Sequence, residues 1–287
     1  MKISFTKMHG LGNDFIVVDC RKKKIAGLSR LIKKLSHRQL GIGFDQALIL
    51  LPSNKGDFRM DIYNADGGRV EMCGNGIRCF AKYIWARNLS RKDVLEIETL
   101  AGIIKLKRVG KMVRVDMGEP ILEGKDIPVN LSDKIIKYPL KIENADGSSH
   151  TPQSTVHSPS FEITCVSMGN PHCVIFVDDV DQFPVAIYGP LIENYPIFPK
   201  RTNVEFIQVL NNKRLKMRVW ERGSGETLAC GTGACASAVA ANLNGLAGRK
   251  VTIHLAGGDL KIEWSEKDNH VYMTGSAVEV FEGTVEL

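Results

Sequence analysis

The stretch Cys73–Gly76 (CGNG) returns as Cys230–Gly233 (CGTG), and the two copies lie 157 residues apart (230 − 73 = 157). The same separation relates two other pairs of segments, which are Arg59–Asn64 (RMDIYN) with Lys216–Glu221 (KMRVWE), and Gly12–Asn13 with Gly169–Asn170. Three separated matches in one register indicate an internal repeat. The sequence therefore predicts two structurally similar halves.

The join between the halves is expected where Pro120, Gly124 and Pro128 interrupt the chain. We therefore predict an N-terminal domain over residues 1–130 and a C-terminal domain over residues 131–277. A polar stretch over residues 144–160 contains five serines and two prolines. Its composition predicts a surface loop or a hairpin tip within the second half.

Each half is predicted to be mostly strand with one clear helix. Apolar runs rich in β-branched and aromatic residues predict strands over Phe15–Asp19, Ala47–Leu51, Phe58–Asn64, Cys173–Val177, Val204–Val209 and Leu215–Glu221. In contrast, Ile77, Phe80, Ala81, Ile84 and Trp85 form one helical stripe. Its counterpart, Ala234–Asn244, is rich in alanine and is followed by Gly245, a typical helix stop. Small residues on all sides predict a helix that is enclosed by a sheet.

Cys73 and Cys230 each come directly before a Gly-x-Gly that opens the predicted helix of its half. Backbone N–H groups at a helix N-terminus bind anions, including carboxylates. The same location is expected to lower the pKa of each cysteine below the value of roughly 8.5 of a free thiol. A lone Cys-Gly-x-Gly is more often a tight turn than an active site, but two copies in register favour a catalytic role.

Two such thiols, related by an internal pseudo-twofold axis, suit the inversion of a carbon stereocentre. One base removes the α-proton from one face while an acid delivers a proton to the opposite face. Near-attack distances of about 3 to 3.5 Å on each side would place the sulfurs roughly 6 to 7 Å apart in a closed complex. The sequence therefore predicts two-base proton transfer, with helix N-termini that stabilise the negative charge of the carbanion.

Polar residues at matched positions of the repeat predict a ligand shell around these thiols. Asn13 matches Asn170, Gln46 matches Asn203, and Asn64 matches Glu221, each pair at the separation of 157. Asparagine alone is typical of turns, but its repeated placement near two candidate thiols favours binding of a polar ligand.

The composition excludes several other classes of function. The formal charge is +6, but the basic residues are scattered, and the run Arg21–Lys24 beside a turn signal indicates a solvated loop and no nucleic-acid partner. No apolar run approaches the roughly 18 residues of a membrane span. The first ten residues mix polar with apolar side chains, unlike the apolar core of a secretory signal. We therefore expect a cytoplasmic protein without a membrane partner.

Seven cysteines without CxxC spacing indicate reduced thiols, and they favour neither a disulfide framework nor a zinc site. Cys20, Cys79, Cys165, Cys173 and Cys235 are expected to be packing residues. Neither glycine-rich segment fits a Walker A or a G-x-G-x-x-G pattern, so nucleotide binding is not indicated.

A linked set of motifs closely resembles the diaminopimelate epimerase family over nearly the whole chain. The motifs are Met8–Phe15 (MHGLGNDF), Asn64–Gly67 (NADG), Cys73–Cys79 (CGNGIRC), Gly169–His172 (GNPH), Glu221–Gly223 (ERG) and Ala229–Gly233 (ACGTG). The resemblance implies interconversion of LL- and meso-diaminopimelate, on the route to lysine and peptidoglycan, without cofactor or metal. It implies an α/β (α+β) fold of two pseudo-symmetric domains, each a curled, mostly antiparallel sheet around a central helix.

The resemblance also implies a role for each matching position. Cys73 and Cys230 match the two acid/base thiols, and His172 and Glu221 match neighbouring groups that orient the substrate and tune proton transfer. The reacting end of the substrate is implied to lie on the backbone of Gly74, Asn75, Gly231 and Thr232. The remaining substrate-binding positions are Asn13, Gln46, Asn64, Asn170, Asn203, Glu221 and Arg222, and the guanidinium of Arg222 suits a carboxylate.

The family precedent further implies that the last strand, about residues 278–287, belongs to the first domain and that the protein forms a homodimer. Phe281 occupies a position near the implied dimer contact where a tyrosine is expected. The alternative function is that of a related two-cysteine racemase acting on another amino acid, such as proline, hydroxyproline or glutamate. Segments Gly169–His172 and Glu221–Arg222 favour diaminopimelate.

Overall fold

The computed structural model describes residues 2–142 and 159–286. The chain divides into two compact units, of which unit 1 comprises Met1–Asp116 with Met273–Leu287 and unit 2 comprises Met117–Tyr272. The domain limits 1–130 and 131–277 stay a prediction from sequence. The predicted polar loop over residues 144–160 lies outside the described residues, except for its last two positions.

The described chain forms strands and helices in a closely similar order in both units. The first segment of unit 1 contains β1 (Lys2–Gly10), β2 (Asn13–Asp19), α1 (Leu28–Leu35), β3 (Gln46–Leu51), β4 (Phe58–Asn64), β5 (Arg69–Val70), α2 (Gly74–Ala86), β6 (Val94–Thr99), β7 (Gly102–Val109) and β8 (Met112–Asp116). The rest of the chain contains β9 (Tyr138–Lys141), β10 (Ser160–Ser167), β11 (Pro171–Phe176), α3 (Val185–Glu193), β12 (Asn203–Asn211), β13 (Arg214–Glu221), β14 (Gly225–Thr227), α4 (Gly231–Leu243), β15 (Lys250–Leu255), β16 (Gly258–Trp264), β17 (Val271–Gly275) and β18 (Val278–Glu286). The six predicted strands and the two predicted helices are confirmed.

The strands of the two units pair in the same sequence of directions. In unit 1, β18, β1 and β2 are antiparallel, β2 and β3 are parallel, β3 and β4 are antiparallel, and β4 and β6 are parallel. In unit 2, β9, β10 and β11 are antiparallel, β11 and β12 parallel, β12 and β13 antiparallel, and β13 and β15 parallel. This repetition confirms the predicted pseudo-symmetry of the fold.

Each unit wraps its sheet around one central helix. In unit 1, α2 contacts β1, β2, β3, β8 and β18, and in unit 2, α4 contacts β10, β11, β12, β15 and β16. Alanines fill much of α4 and are buried all round it, whereas α2 buries larger side chains such as Phe80 and Trp85. This arrangement confirms the prediction of a curled, mostly antiparallel sheet around a helix.

Two short helices, α1 and α3, were not predicted from the sequence. In α1, Ile32 and Leu35 are buried against Ile16 and Ile49 of the sheet, and this pattern is too short to stand out as a helical stripe. In α3, Gly189 and Pro190 are typical helix breakers. A Cβ at Gly189 would lie 2.6 Å from the indole of Trp220, so packing requires the glycine there.

In the described part of the chain, no helix is long and apolar enough to cross a membrane.

Candidate active site

Cys73 occupies the N-cap of α2, the central helix of unit 1. Its backbone is extended (φ −141°, ψ 112°), and its sulfur accepts a hydrogen bond from the N–H of Gly76 at 3.4 Å. The side chain is half-buried, and Sγ lies 3.7 Å from Oδ1 of Asn13. The thiol is therefore held at the positive end of a helix and next to a polar side chain.

Cys230 occupies the same place in unit 2, at the N-cap of α4. Its backbone is again extended (φ −119°, ψ 114°), and its sulfur accepts from the N–H of Gly233 at 3.4 Å. The hydroxyl of Thr232 lies 3.5 Å from Sγ. Unlike Cys73, Cys230 is only 5% exposed, so its thiol has lost nearly all hydration.

Burial raises the pKa of the Cys230 thiol well above its ordinary value, and the carboxylates of Glu221 and Glu205 raise it further. Hydrogen bonds from Thr232 and from the N–H of Gly233 lower this pKa in part. The prediction of a lowered pKa is wrong for Cys230, because the loss of hydration and two nearby carboxylates outweigh the helix N-terminus. The raised pKa favours the neutral thiol of Cys230.

The polar positions of unit 1 lie together at the ends of three neighbouring strands. Strands β2 and β3 begin there and β4 ends there, so Asn13, Gln46 and Asn64 share this location. Nε2 of Gln46 donates to Oδ1 of Asn64 at 2.8 Å, and Nδ2 of Asn13 donates to Asp45 at 2.8 Å. No described residue donates to the buried Oε1 of Gln46.

Asn75 lies in the first turn of α2 and is held there by Arg78. The guanidinium of Arg78 is fully buried. It donates to Oδ1 of Asn75 at 2.9 Å and to the carbonyl of Gly74 at 3.0 Å. Arg78 therefore fixes the segment that follows Cys73.

The polar positions of unit 2 are each held by hydrogen bonds to neighbouring groups. The parallel register places His172 opposite Asn203, and Oδ1 of Asn170 lies 3.1 Å from Nε2 of His172. Oδ1 of Asn203 accepts from the backbone N–H of Arg222 at 3.0 Å. Glu221 accepts a hydrogen bond from the hydroxyl of Thr227.

The three remaining positions of unit 2 differ in exposure. The guanidinium of Arg222 is exposed and donates to the carbonyl of Lys200 at 3.1 Å. In contrast, Gly231 is buried and Thr232 is half-buried at the first turn of α4. Each unit thus offers a thiol, first-turn N–H groups that lack intrahelical partners, and amide side chains, which together can bind and deprotonate a small amino acid.

Three residues of this region were missed from the sequence: Asp45, Arg78 and Glu205. Arg78 is a charged residue within the largely buried helix α2, and Glu205 interrupts an apolar strand. A charge inside a segment that is predicted to be buried is the signal that could have found both. Asp45, which binds Asn13, carries no such signal.

Within residues 2–142 and 159–286, no group of three or more His, Cys, Asp or Glu side chains could hold a metal ion.

The sequence of this chain is similar to those of known proteins. A model of the family described as diaminopimelate epimerase matches residues 5–123 and 164–280. A protein of Acetivibrio thermocellus named diaminopimelate epimerase is 51% identical over 289 residues, covering 99% of this chain and 98% of that protein. Its namesake from Moorella thermoacetica is 53% identical over 97% of this chain and 98% of that protein.

Solved structures share the fold at much lower identity. A hydroxyproline epimerase of Agrobacterium vitis superposes with a TM-score of 0.69 at 14% identity and covers 100% of this chain and 93% of that chain. A PhzF-family protein of Bacillus anthracis superposes with a TM-score of 0.67 at 16% identity and covers 100% of both chains.

Among the functions considered, the comparisons do not favour a racemase of proline, hydroxyproline or glutamate, since the likeness to the hydroxyproline enzyme extends only to the fold. The family model covers most of the sequence, and relatives about half identical cover nearly all of it. The chain belongs to the diaminopimelate epimerase family.

Proposed function

We propose that this isomerase interconverts LL- and meso-diaminopimelate by moving the proton on the α-carbon. The observation that carries the proposal is the pair of cysteine N-caps in a chain about 50% identical to proteins named diaminopimelate epimerase. Thiols are suited to this step because they can give and take a proton without a change of covalent partner.

We propose that the reacting carboxylate is held by first-turn backbone N–H groups. Gly74 and Asn75 supply them in unit 1, and Gly231 and Thr232 supply them in unit 2. As the α-proton leaves, negative charge spreads into this carboxylate, and oriented N–H groups stabilise it. No metal or cofactor takes part in the proposed reaction.

Cys73 and Cys230 act on opposite faces of the α-carbon in this proposal. The raised pKa of Cys230 supports its role as the acid in the direction in which Cys73 removes the α-proton. In the opposite direction Cys230 must lose its proton first, and its neighbours then determine the rate. His172 and Glu221 are proposed to tune these transfers, because each side chain can take up and release a proton.

The distal end of the substrate is proposed to bind amide side chains near the thiols. The side chains of Asn13, Gln46 and Asn64 in unit 1 each carry an amide oxygen, an acceptor that suits an ammonium group. Asn170, Asn203 and Glu221 provide the corresponding positions of unit 2. Arg222 keeps an exposed guanidinium, which is suited to a second carboxylate.

We propose that the protein acts in the cytoplasm as a homodimer, with neither nucleic acid nor membrane as partner. The seven cysteines, all of which lie in the described part of the chain, form no disulfide, as expected in a reducing compartment. On β18, Val278, Val280 and Phe281 are 39%, 55% and 48% exposed, and a second copy could cover them. Light scattering after gel filtration should give twice the monomer mass for the wild type and the monomer mass for Phe281→Glu.

The function is tested by exchange at the α-carbon in deuterium oxide. The protein should incorporate deuterium into LL- and meso-diaminopimelate and should convert each into the other. Mass spectrometry measures the incorporation. Proline, hydroxyproline and glutamate serve as comparison substrates. Exchange into proline with none into diaminopimelate would overturn the proposal.

A further inference from the structure

His172 and Glu205 form a fully buried pair behind Cys230. Both side chains are 0% exposed, and Nδ1 of His172 lies 2.7 Å from Oε1 of Glu205. The other ring nitrogen, Nε2, lies 3.1 Å from Oδ1 of Asn170. The carboxylate also packs under the N-terminus of α4, since a Cβ at Gly233 would lie 2.6 Å from Oε1. The pair therefore lies between the N-terminus of α4 and Asn170, one of the proposed substrate-binding residues.

Unit 1 fills the equivalent place with hydrocarbon. The separation of 157 relates His172 to Phe15 and Glu205 to Leu48, and both residues of unit 1 are fully buried. A Cβ at Gly76, the counterpart of Gly233, would lie 3.1 Å from Leu48 and 3.2 Å from Phe15. The same position under the same helix turn is thus apolar in one unit and ionisable in the other.

This difference shows that the fold itself does not require a polar pair at this place. Replacement of a buried ion pair by packed hydrocarbon is often neutral or stabilising, because desolvation opposes the attraction of the charges. In addition, no described residue donates a hydrogen bond to the buried Oε2 of Glu205. The carboxylate of Glu205 thus lacks a hydrogen bond at one oxygen, and an apolar side chain could take its place in the fold. A role in the reaction explains it better than a contribution to stability.

We infer that Glu205 is a positioning residue that fixes the orientation of the His172 imidazole. Nδ1 then faces the carboxylate of Glu205, and Nε2 faces Asn170 and the substrate. This inference rests on the proposed function. A histidine whose one nitrogen is bound by a carboxylate has a fixed orientation and tautomer at the other nitrogen. When Nε2 takes up the proton that a cysteine thiol of the site releases, Glu205 neutralises the imidazolium and Nε2–H donates to Oδ1 of Asn170. The proton returns from Nε2 to the thiolate at the end of the cycle.

Several ionisable groups face this pair from the surrounding elements. Cys230 lies at the N-cap of α4, Glu221 at the end of β13 and Cys173 on β11, and each interacts electrostatically with Glu205. Burial raises the pKa of Glu205, and its bond to His172 lowers that pKa in part. A change at Glu205 therefore should alter the pH dependence of turnover as well as its rate.

The ring of His172 reports directly on the inference, independently of any substrate. In nitrogen-15 NMR of the full-length protein, Nδ1 should carry a proton in the wild type, and the His172→Asn variant assigns its signals by their loss. Glu205→Gln keeps an acceptor of similar shape and should retain this tautomer in part. Glu205→Leu, which copies Leu48, should shift the ring signals toward those of a free imidazole.

Kinetics separate a positioning role from a structural one. Glu205→Leu should lower kcat on the order of 100-fold with little change in KM, and Glu205→Gln should lower it about tenfold. In Glu205→Gln the acidic limb of the kcat profile should move to lower pH, because loss of the carboxylate disfavours the protonated ring. Circular dichroism should show a folded protein in both variants, since leucine fills the equivalent place in unit 1.

Glu193→Gln is the matched control, because Glu193 is a buried glutamate of the same unit that binds Trp220 and Arg201 and no histidine. It should leave the His172 signals and the shape of the pH profile unchanged. Wild-type ring signals, kcat and pH profile in folded Glu205→Leu would overturn the inference. If the wild type fails to epimerise diaminopimelate while the ring signals still depend on Glu205, the proposed function fails and the positioning of His172 stands.

Discussion

Cys73 and Cys230 accept the backbone N–H of Gly76 and Gly233, respectively, at the same distance of 3.4 Å. Each sulfur thereby caps the 13-residue central helix of its own unit. The two thiols differ in burial, since Cys73 is half-buried and Cys230 is nearly inaccessible. A repeated backbone thus presents one chemical group in two environments, and this difference leads to the following predictions.

Replacement of either cysteine by serine should abolish most turnover without unfolding the protein. Loss of general acid/base catalysis typically lowers kcat by about 10²- to 10⁴-fold, whereas serine is itself a favourable N-cap. The corresponding alanine variants should lose a further ~1 kcal/mol in the free energy of unfolding, measured in urea. Steady-state kinetics that showed a fully active Cys73→Ser or Cys230→Ser variant would exclude the two-thiol mechanism.

Cys230 should react slowly with iodoacetamide at pH 7. Its labelling rate should rise only at a pH higher than that at which an ordinary thiol ionises. A raised pKa means that the reactive thiolate is scarce at neutral pH and appears as the pH increases. Glu221→Gln removes one charge that raises this pKa and should increase the rate at pH 8, as peptide mass spectrometry would show.

Glu226→Gln is the charge-matched control for this labelling experiment. Glu226 lies on β14, is exposed to solvent and accepts hydrogen bonds from Arg218. Its replacement should leave the labelling rate of Cys230 unchanged. An equal rise in the Glu221→Gln and Glu226→Gln variants would argue against a local effect of Glu221.

Gly233→Ala should destabilise unit 2 and reduce turnover. The added Cβ would lie 2.6 Å from Oε1 of Glu205, so the carboxylate must move, and overpacking of this kind costs about 1 to 3 kcal/mol. Gly248→Ala is the control, because its Cβ would meet only the carbonyl of Asn212, at an ordinary 3.6 Å. Urea unfolding and kcat should both distinguish the two variants, and equal effects would contradict the assigned packing.

A double-variant cycle should show that the pair of His172 and Glu205 is not needed for stability. His172→Phe alone leaves a buried carboxylate without its partner and should cost about 3 to 5 kcal/mol. Addition of Glu205→Leu recreates the apolar pair of Phe15 and Leu48, and the double variant should regain wild-type stability or exceed it by about 1 to 4 kcal/mol. Thermal unfolding measures all three variants, and a double variant less stable than His172→Phe would refute this account.

Much of the fold could be predicted because the repeat and its periodicities are written in the sequence. The stripe from Ile77 to Trp85 predicted α2, and glycine-rich segments placed both cysteines at helix N-termini. Helices α1 and α3 could not be predicted, since α1 is short and α3 contains Gly189 and Pro190. Their stability comes from packing against the sheet, which local sequence does not encode.

The sequence by itself determined the repeat, the two candidate thiols, the polar positions around them and the family. Only the tertiary structure decided the environment of each group. It showed that Cys230 is buried beside carboxylates, which reverses the expected direction of its pKa shift. It also brought Glu205 under Gly233 and against His172. Burial and charge proximity arise from strands that are distant in sequence, so a local pattern can identify a reactive residue but not its protonation state.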